Sequence, residues 1–261
     1  MAHPQQLMFF SIIDELIVQQ KKKDQLKILE IGSYDVSGTV RQFFCDCDYL
    51  GCDLTEGPGV DVVSSGHKLS LPSDSFDITL SSECFEHNPY WLETFQNMIR
   101  MTKPGGIVIF TCASRGREEH GTERTTVGRN VSPGTSAIGW NYYNNLNQID
   151  FERKLTMSNF FEKTFFYYMS TSCDLYFCGQ KKGIQIFDFN VKKLLSRMRD
   201  IRAIPVHQGI SKSKIILIKL HSLPIVILSY ILNDKDFQNW RIKYLNAIRP
   251  ITKIIKRILK K

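Results

Sequence analysis

Residues 28–38 read ILEIGSYDVSG, a run of strand-forming residues that stops on a glycine just after an acid. Ile28, Leu29 and Ile31 have the makings of a buried parallel strand, while Gly32, Asp35, Ser37 and Gly38 look like a turn leading into a helix. In an open α/β sheet such a junction faces the ligand, because backbone amides and helix N-termini point outward at the carboxyl ends of the strands.

Working outward, strand-like and helix-like segments alternate. Lys27–Ile31, Tyr49–Asp53, Val60–Val63, Phe76–Ser81 and Gly106–Thr111 read as strands, with helices expected over Val36–Phe44 and Tyr90–Met101. This is the pattern of a doubly wound, Rossmann-like α/β sheet. Two aromatic runs at 160–170 and 174–182 are separated by a few polar residues, which favours an antiparallel pair at one sheet edge. The apolar stretch at 7–13 is closed by Asp14 and Glu15 and reads as an amphipathic helix rather than a signal peptide.

The chain has 261 residues, 43% of them hydrophobic, enough for one domain with an appendage. Its seven cysteines show no paired CxxC elements, so reduced thiols in a cytoplasmic setting are expected and no metal cluster is read from the spacing. The net charge of +8 conceals a division. Residues 1–180 carry 15 basic and 22 acidic side chains, whereas 181–261 carry 19 and 4. An acidic body with a basic end is expected to meet anionic surfaces through that end.

The junction after Gly32 fits neither of two common nucleotide turns. A dinucleotide fingerprint places glycines where this chain has Tyr34 and Ser37, and the P-loop lysine is missing. Asp53, however, lies 21 positions after Gly32, near the ~20-residue spacing at which an acid reaches ribose hydroxyls. LSLPSDSFDITLSSECFEH (69–87) and MIRMTKPGGIVIFTC (98–112) follow. With these segments the chain resembles the class I S-adenosylmethionine-dependent methyltransferases, over roughly residues 26–112 and more loosely to 182.

The resemblance implies a sheet of about seven strands with the last antiparallel, and S-adenosylmethionine as cofactor. It also implies roles. Glu30 and Gly32, with Ser33, would border the methionine moiety; Asp53, beside Leu54, would hold the ribose hydroxyls; Ser65, Gly66 and His67 would border the adenine. Ser82 and Glu83 would line the reacting end, and Lys103–Gly106 would form a structural turn. The chain departs from the pattern at Tyr34 and Val36, where many members have glycine, and at Ser65, where many have Asp.

Residues 113–144 form a 32-residue connection, far longer than the ~4–6 typical of compact domains. It carries Arg115, Arg117, Arg124 and Arg129, whose planar forks suit phosphate or carboxylate and make them candidate contacts to an anionic acceptor. A plainer reading is a solvated loop whose charges cancel. An oxygen acceptor needs a proton acceptor, for which His120, with Glu119 and His87 as substitutes, is the choice.

Residues 1–182 read as the methyltransferase domain and 183–261 as a mainly helical, basic extension. Within it, 214–232 is strongly apolar but interrupted, and 240–261 is a basic amphipathic helix suited to peripheral membrane contact, to a partner or homodimer mate, or to folding back on the acidic body. Nucleic acid is disfavoured, since isoleucine rather than aromatic residues forms the stripe. The expectation is methyl transfer to a small-molecule or carrier-linked acceptor, preferably a sugar hydroxyl in surface-glycan biosynthesis. The alternative is a non-catalytic Rossmann-like adaptor recruiting a partner through its tail.

Overall fold

The structure, a computed structural model, describes residues 4–36, 38–125, 133–203 and 223–259. Seven strands form one sheet: β1 (Lys27–Ile31), β2 (Asp48–Asp53), β3 (Val62–Val63), β4 (Phe76–Ser82), β5 (Thr102–Ala113), β6 (Phe161–Met169) and β7 (Asp174–Lys181). Their order is β3-β2-β1-β4-β5-β7-β6. β1 pairs in parallel with β2 and β4, and β4 with β5, whereas β7 runs antiparallel to both β5 and β6. The hairpin read from the two aromatic runs is therefore β6–β7, with β7 inserted beside β5 as the single reversed strand.

The central strands are apolar on both faces because both are covered. On one face Ile28, Ile78, Leu80, Ile107 and Ile109 pack with Phe9, Phe10 and Ile13 of α1 (Pro4–Leu16) and with Leu194, Met198 and Ile201 of α6 (Val191–Ala203). On the other, Leu29, Ile31, Val108 and Phe110 meet Phe95 and Met98 of α2 (Trp91–Met101) and Phe151 of α4 (Gln148–Lys154). Ile28 and Leu29 thus serve opposite cores, as strand alternation requires. The packed core runs past residue 182: Phe187 and Phe189 are buried with α6, and Arg197 pairs with Glu15 of α1 at 2.6 Å.

Two local expectations are corrected. The helix expected over Val36–Phe44 shrinks to a 3-10 helix at Val40–Phe44, because Gly38 N–H donates to Asp35 Oδ1 (2.7 Å) and Thr39 caps Arg41 N, a local turn that competes with helix formation. β5 begins at Thr102 rather than Gly106, with an irregular register opposite Phe76–Ile78 and Lys103 paired to Asp77 at 2.8 Å.

The post-β5 connection contains α3 (Pro133–Ala137); a short α5 (Met157–Phe160) precedes β6. Beyond α6, residues 223–231 form a helix, α7, and α8 spans Asp234–Leu259. The stretch 204–222, which holds the first nine of the nineteen residues noted at 214–232, lies outside the described residues. No described helix is long and apolar enough to cross a membrane. The start of α8 docks on the body: Phe237 and Gln238 are buried, and Asp234 accepts from Asn145 N–H (3.0 Å) and Nδ2 (2.8 Å).

Candidate active site

The carboxyl ends of β1, β2 and β4 come level, Ile31 lying opposite Cys52 on one side and Ser81 on the other. They open on a cavity of about 420 Å³, within the ~300–1,000 Å³ of ordinary ligand sites. Eight of the ten residues expected around the cofactor line it; Ser65 and His67 do not.

Its floor is the turn after β1. Gly32 adopts φ +85°, and a Cβ there would lie 2.6 Å from Cys84 Cβ, so the turn packs directly against the chain leaving β4. Gly32 and Ser33 both donate backbone N–H to Cys52 O, at 2.8 and 3.2 Å. Glu30 is buried, and Tyr49 Oη donates to its Oε2 at 2.7 Å. Burial pushes the Glu30 carboxyl up to about 7, the tyrosine bond only partly opposing it.

Asp53 accepts Tyr34 N–H at Oδ2 (2.9 Å) and Leu54 N–H at Oδ1 (2.6 Å), and burial raises its carboxyl above the ordinary range. A carboxylate offers about four lone-pair positions, so two remain for a ligand. α3 folds over this acid so closely that a Cβ on Gly134 would sit 2.6 Å from Asp53 Oδ1. Next to it Trp140, also lining the cavity, joins a cluster in which His67 stacks on Tyr90 at 4.2 Å. His67 thus braces the rim from outside. Trp140 and Gly134 were missed by sequence reasoning, although the aromatic end of the long connection was a signal that it is ordered.

At the far end Ser82, Glu83, His87, His120 and Gly121 line the cavity. Glu83 holds φ +51°, rare for a non-glycine residue, and its Oε1 has no hydrogen-bond partner among the described residues. Burial, then the Asp174 and Glu86 carboxylates, keep its carboxyl well above the usual range. His87 and His120 meet edge to face, ring centroids 5.0 Å apart. Burial first, and then His120, pushes His87 down to about 3; burial also lowers His120, so both are uncharged at neutral pH.

The other expected residues lie elsewhere. Glu119 is buried off the cavity, accepting from Thr122 Oγ1 (2.7 Å) and pairing with Arg124, so it is not placed to take a proton from a ligand. Arg117 donates to Ser172 O (2.8 Å) and lies 3.5 Å from Asp174; Arg115 sits over the Tyr230 ring at 4.4 Å. None of these three arginines lines the cavity: each ties the post-β5 chain to the body or to the C-terminal helices. Arg129 lies outside the described residues. The fold also gathers Glu86, His87 and His120, three potential metal ligands that spacing alone did not reveal.

These features fit S-adenosylmethionine. The cavity lies at the carboxyl ends of β1, β2 and β4 with Asp53 on its lining, and Ser33 Oγ and Glu83 Oε1 are buried polar atoms without described partners on its walls. Residues 41–110 match the family model described as a methyltransferase domain. An uncharacterized methyltransferase of Mycobacterium bovis is 44% identical over 61 residues, 23% of this chain and 24% of that protein. Another, from Mycobacterium leprae, is 33% identical over 98 residues, 32% of this chain and 36% of that protein. The matched stretch spans about a quarter to a third of these curated relatives. Among solved structures, Burkholderia thailandensis 1,6-didemethyltoxoflavin-N1-methyltransferase is 14% identical, covers 69% of this chain and 80% of its own, and has a TM-score of 0.46. The chain carries a class I S-adenosylmethionine-dependent methyltransferase domain. Its cofactor is S-adenosylmethionine.

Proposed function

We propose that the protein transfers a methyl group to an oxygen of a small or carrier-linked acceptor, with a sugar hydroxyl in surface-glycan assembly as the preferred case. The observation that carries the oxygen reading is the pair of uncharged imidazoles, His87 and His120, at the far end of the cavity beside Ser82 and Glu83. A hydroxyl must shed its proton as it is methylated, and neutral imidazole nitrogens carry the lone pairs that such a group meets.

The bound cofactor supplies a methyl group already activated by its sulfonium. The chain supplies position and shelter. Gly32 and Asp53 with their amide contacts fix the floor, Glu30 and Glu83 place buried carboxyls along the wall, and α3 with Trp140 covers the opening and keeps water out. Alignment of this kind is worth up to ~7–11 kcal/mol of barrier. The tail belongs to the same proposal: the basic, apolar sequence of 240–261 suits an anionic membrane surface where carrier-linked glycans are built, with a homodimer as the other use.

The test has two steps. Calorimetry with S-adenosylhomocysteine should give saturable binding; its absence in the wild type up to millimolar ligand moves the protein to the adaptor reading. Incubation with nucleotide sugars and lipid-linked glycans, read by mass spectrometry, should then give an O-methylated product, and an N- or C-methylated product defeats the oxygen assignment.

A further inference from the structure

Beside the cofactor cavity, Glu86, His87 and His120 each present one ligand atom, all within 4.8 Å of one another. Glu86 and His87 belong to the 3-10 helix Phe85–His87 that follows β4, and His120 comes from the chain leaving β5, so the topology brings together positions 33 residues apart in sequence. Glu86 is fully buried, and neither of its carboxylate oxygens has a well-formed hydrogen bond to another described residue, its own backbone N–H being the nearest polar contact. Buried polar groups are otherwise paired, so such a carboxylate calls for an occupant.

The two imidazoles are arranged to supply the remaining ligands. His120 Nδ1 lies 2.9 Å from Glu118 O. A carbonyl only accepts, so Nδ1 carries the hydrogen and Nε2 keeps its lone pair. His87 bonds to the Tyr142 backbone at one ring nitrogen, while Nδ1, also buried, has no partner. Each ring is thus held by the backbone on one side and offers a nitrogen on the other. Metal-binding histidines are oriented by this kind of outer contact. Two further carboxyl groups, Glu83 and Asp174, act on Glu86 or on its neighbour, with Arg117 among the positive charges that oppose them.

We propose that Glu86, His87 and His120 hold a divalent transition-metal ion whose open coordination positions face the cavity and take an oxygen of the acceptor. Two imidazoles and one carboxylate select zinc, cobalt, manganese or iron over calcium or magnesium, which prefer all-oxygen sets. Bonds of ~2.1 Å in tetrahedral geometry bring ligand atoms to about 3.4 Å apart, so the cluster draws in by somewhat over an ångström at its widest edge. His120, on a loop and only partly buried, is the least enclosed of the three ligands and makes that movement together with the Glu118 carbonyl that orients it. A hydroxyl on such an ion loses its proton more readily, and with both imidazole lone pairs engaged by the ion the proton passes to solvent. The role given to the ion rests on the oxygen-acceptor reading; the existence of the site does not.

The full chain, stripped with chelator, is titrated with Co²⁺ and followed by visible absorption, with Mn²⁺ by electron paramagnetic resonance and Zn²⁺ by elemental analysis. One equivalent per chain is expected, with affinity falling at least tenfold in Glu86→Gln and in His120→Ala. S-adenosylhomocysteine binding, measured on the same samples, shows that each variant is folded. Wild-type protein that binds the cofactor product but none of the three ions overturns the proposal. So does ion binding undiminished by both substitutions, which would place the ion elsewhere, at a cysteine for example. Loss of cofactor binding in the wild type would instead strike the functional reading and leave the metal result to stand by itself.

Discussion

Replacing Glu30 by Gln separates the charge of the cavity floor from its shape. Glu30 is 4% exposed, with its carboxyl raised from 4.5 to about 7 chiefly by burial. The folded state therefore binds a proton more tightly than the unfolded chain, and between pH 4.5 and about 7 it holds more protons. Stability contributed by this group is fully present below pH 4.5 and is lost as pH rises through about 7. At 1.36 kcal/mol per pH unit the interval amounts to ~3 kcal/mol. Glutamine keeps an oxygen to accept from Tyr49 but cannot ionise. Urea unfolding from pH 5 to pH 8 should show Glu30→Gln gaining ~3 kcal/mol on the wild type across that range. The other buried carboxyls, Glu83 and Glu86, shape both curves alike and largely cancel in the difference. A stability difference that stays flat with pH refutes the reasoning. A companion measurement ties the group to function: a cation bound beside Glu30 favours its ionised form. Cofactor binding near pH 7 should then release protons, detectable by calorimetry in buffers of different ionisation heat, and the release should shrink in Glu30→Gln.

Asp53→Ala strips two loop amides of their acceptor and should cost ~1–3 kcal/mol of stability, with S-adenosylhomocysteine affinity falling at least tenfold by calorimetry; unchanged affinity would remove Asp53 from the site. Gly134→Ala drives a Cβ toward Asp53 Oδ1 and should speed cofactor release in stopped-flow traces while leaving the melting temperature nearly unchanged. Arg117→Ala leaves the fully buried Asp174 without this cation and should destabilise by about 3 kcal/mol, the lower end for broken buried pairs. An unchanged denaturation midpoint with a raised KM for an anionic acceptor would instead return Arg117 to substrate selection. A chain ending at residue 245 should keep its fold and lose salt-sensitive sedimentation with anionic liposomes, whereas one ending at 232 also forfeits the buried Phe237, worth ~3–5 kcal/mol.

What the sequence disclosed followed how local the physics was. β1, β4 and β5 were legible because strands covered on both faces must be apolar throughout, and α2 because its polar face survives in the periodicity. The Val36–Phe44 helix was misread because Asp35 and Gly38 close a turn on each other, a preference that outweighs the apolar spacing. Around the cofactor, residues at the ends of strands were found, since a strand end fixes where the next residue points. His67 was misplaced because its position depends on stacking with Tyr90, 23 residues later, and with Trp140 from another loop. The arginines show the same limit more sharply. A count of guanidinium groups in a loop does not reveal that Asp174, brought alongside by β7, lies within reach of Arg117.

The metal ligands and the tail share one physical origin in the chain leaving β5. Gly116 O accepts from Arg241 (2.7 Å), Arg117 O from Gln238 Nε2 (2.9 Å), and Glu119 N–H donates to Gln238 Oε1 (3.1 Å), so the first turns of α8 clamp residues 116–119. Glu118, within that clamp, pairs with Arg241 through its carboxylate at 3.2 Å and holds His120 Nδ1 through its carbonyl. The same connection, further along, supplies Gly134 and Trp140 to the cavity roof. The C-terminal helix therefore reaches His120 through two hydrogen-bonded steps. Any surface that draws on the far half of α8 pulls on the segment that sets this imidazole, whereas the floor made by Gly32 and Asp53 is anchored in the sheet and meets this connection further along, at Gly134. Loss of the α8 clamp should accordingly change what happens at His120 and the acceptor more than it changes how the cofactor is held.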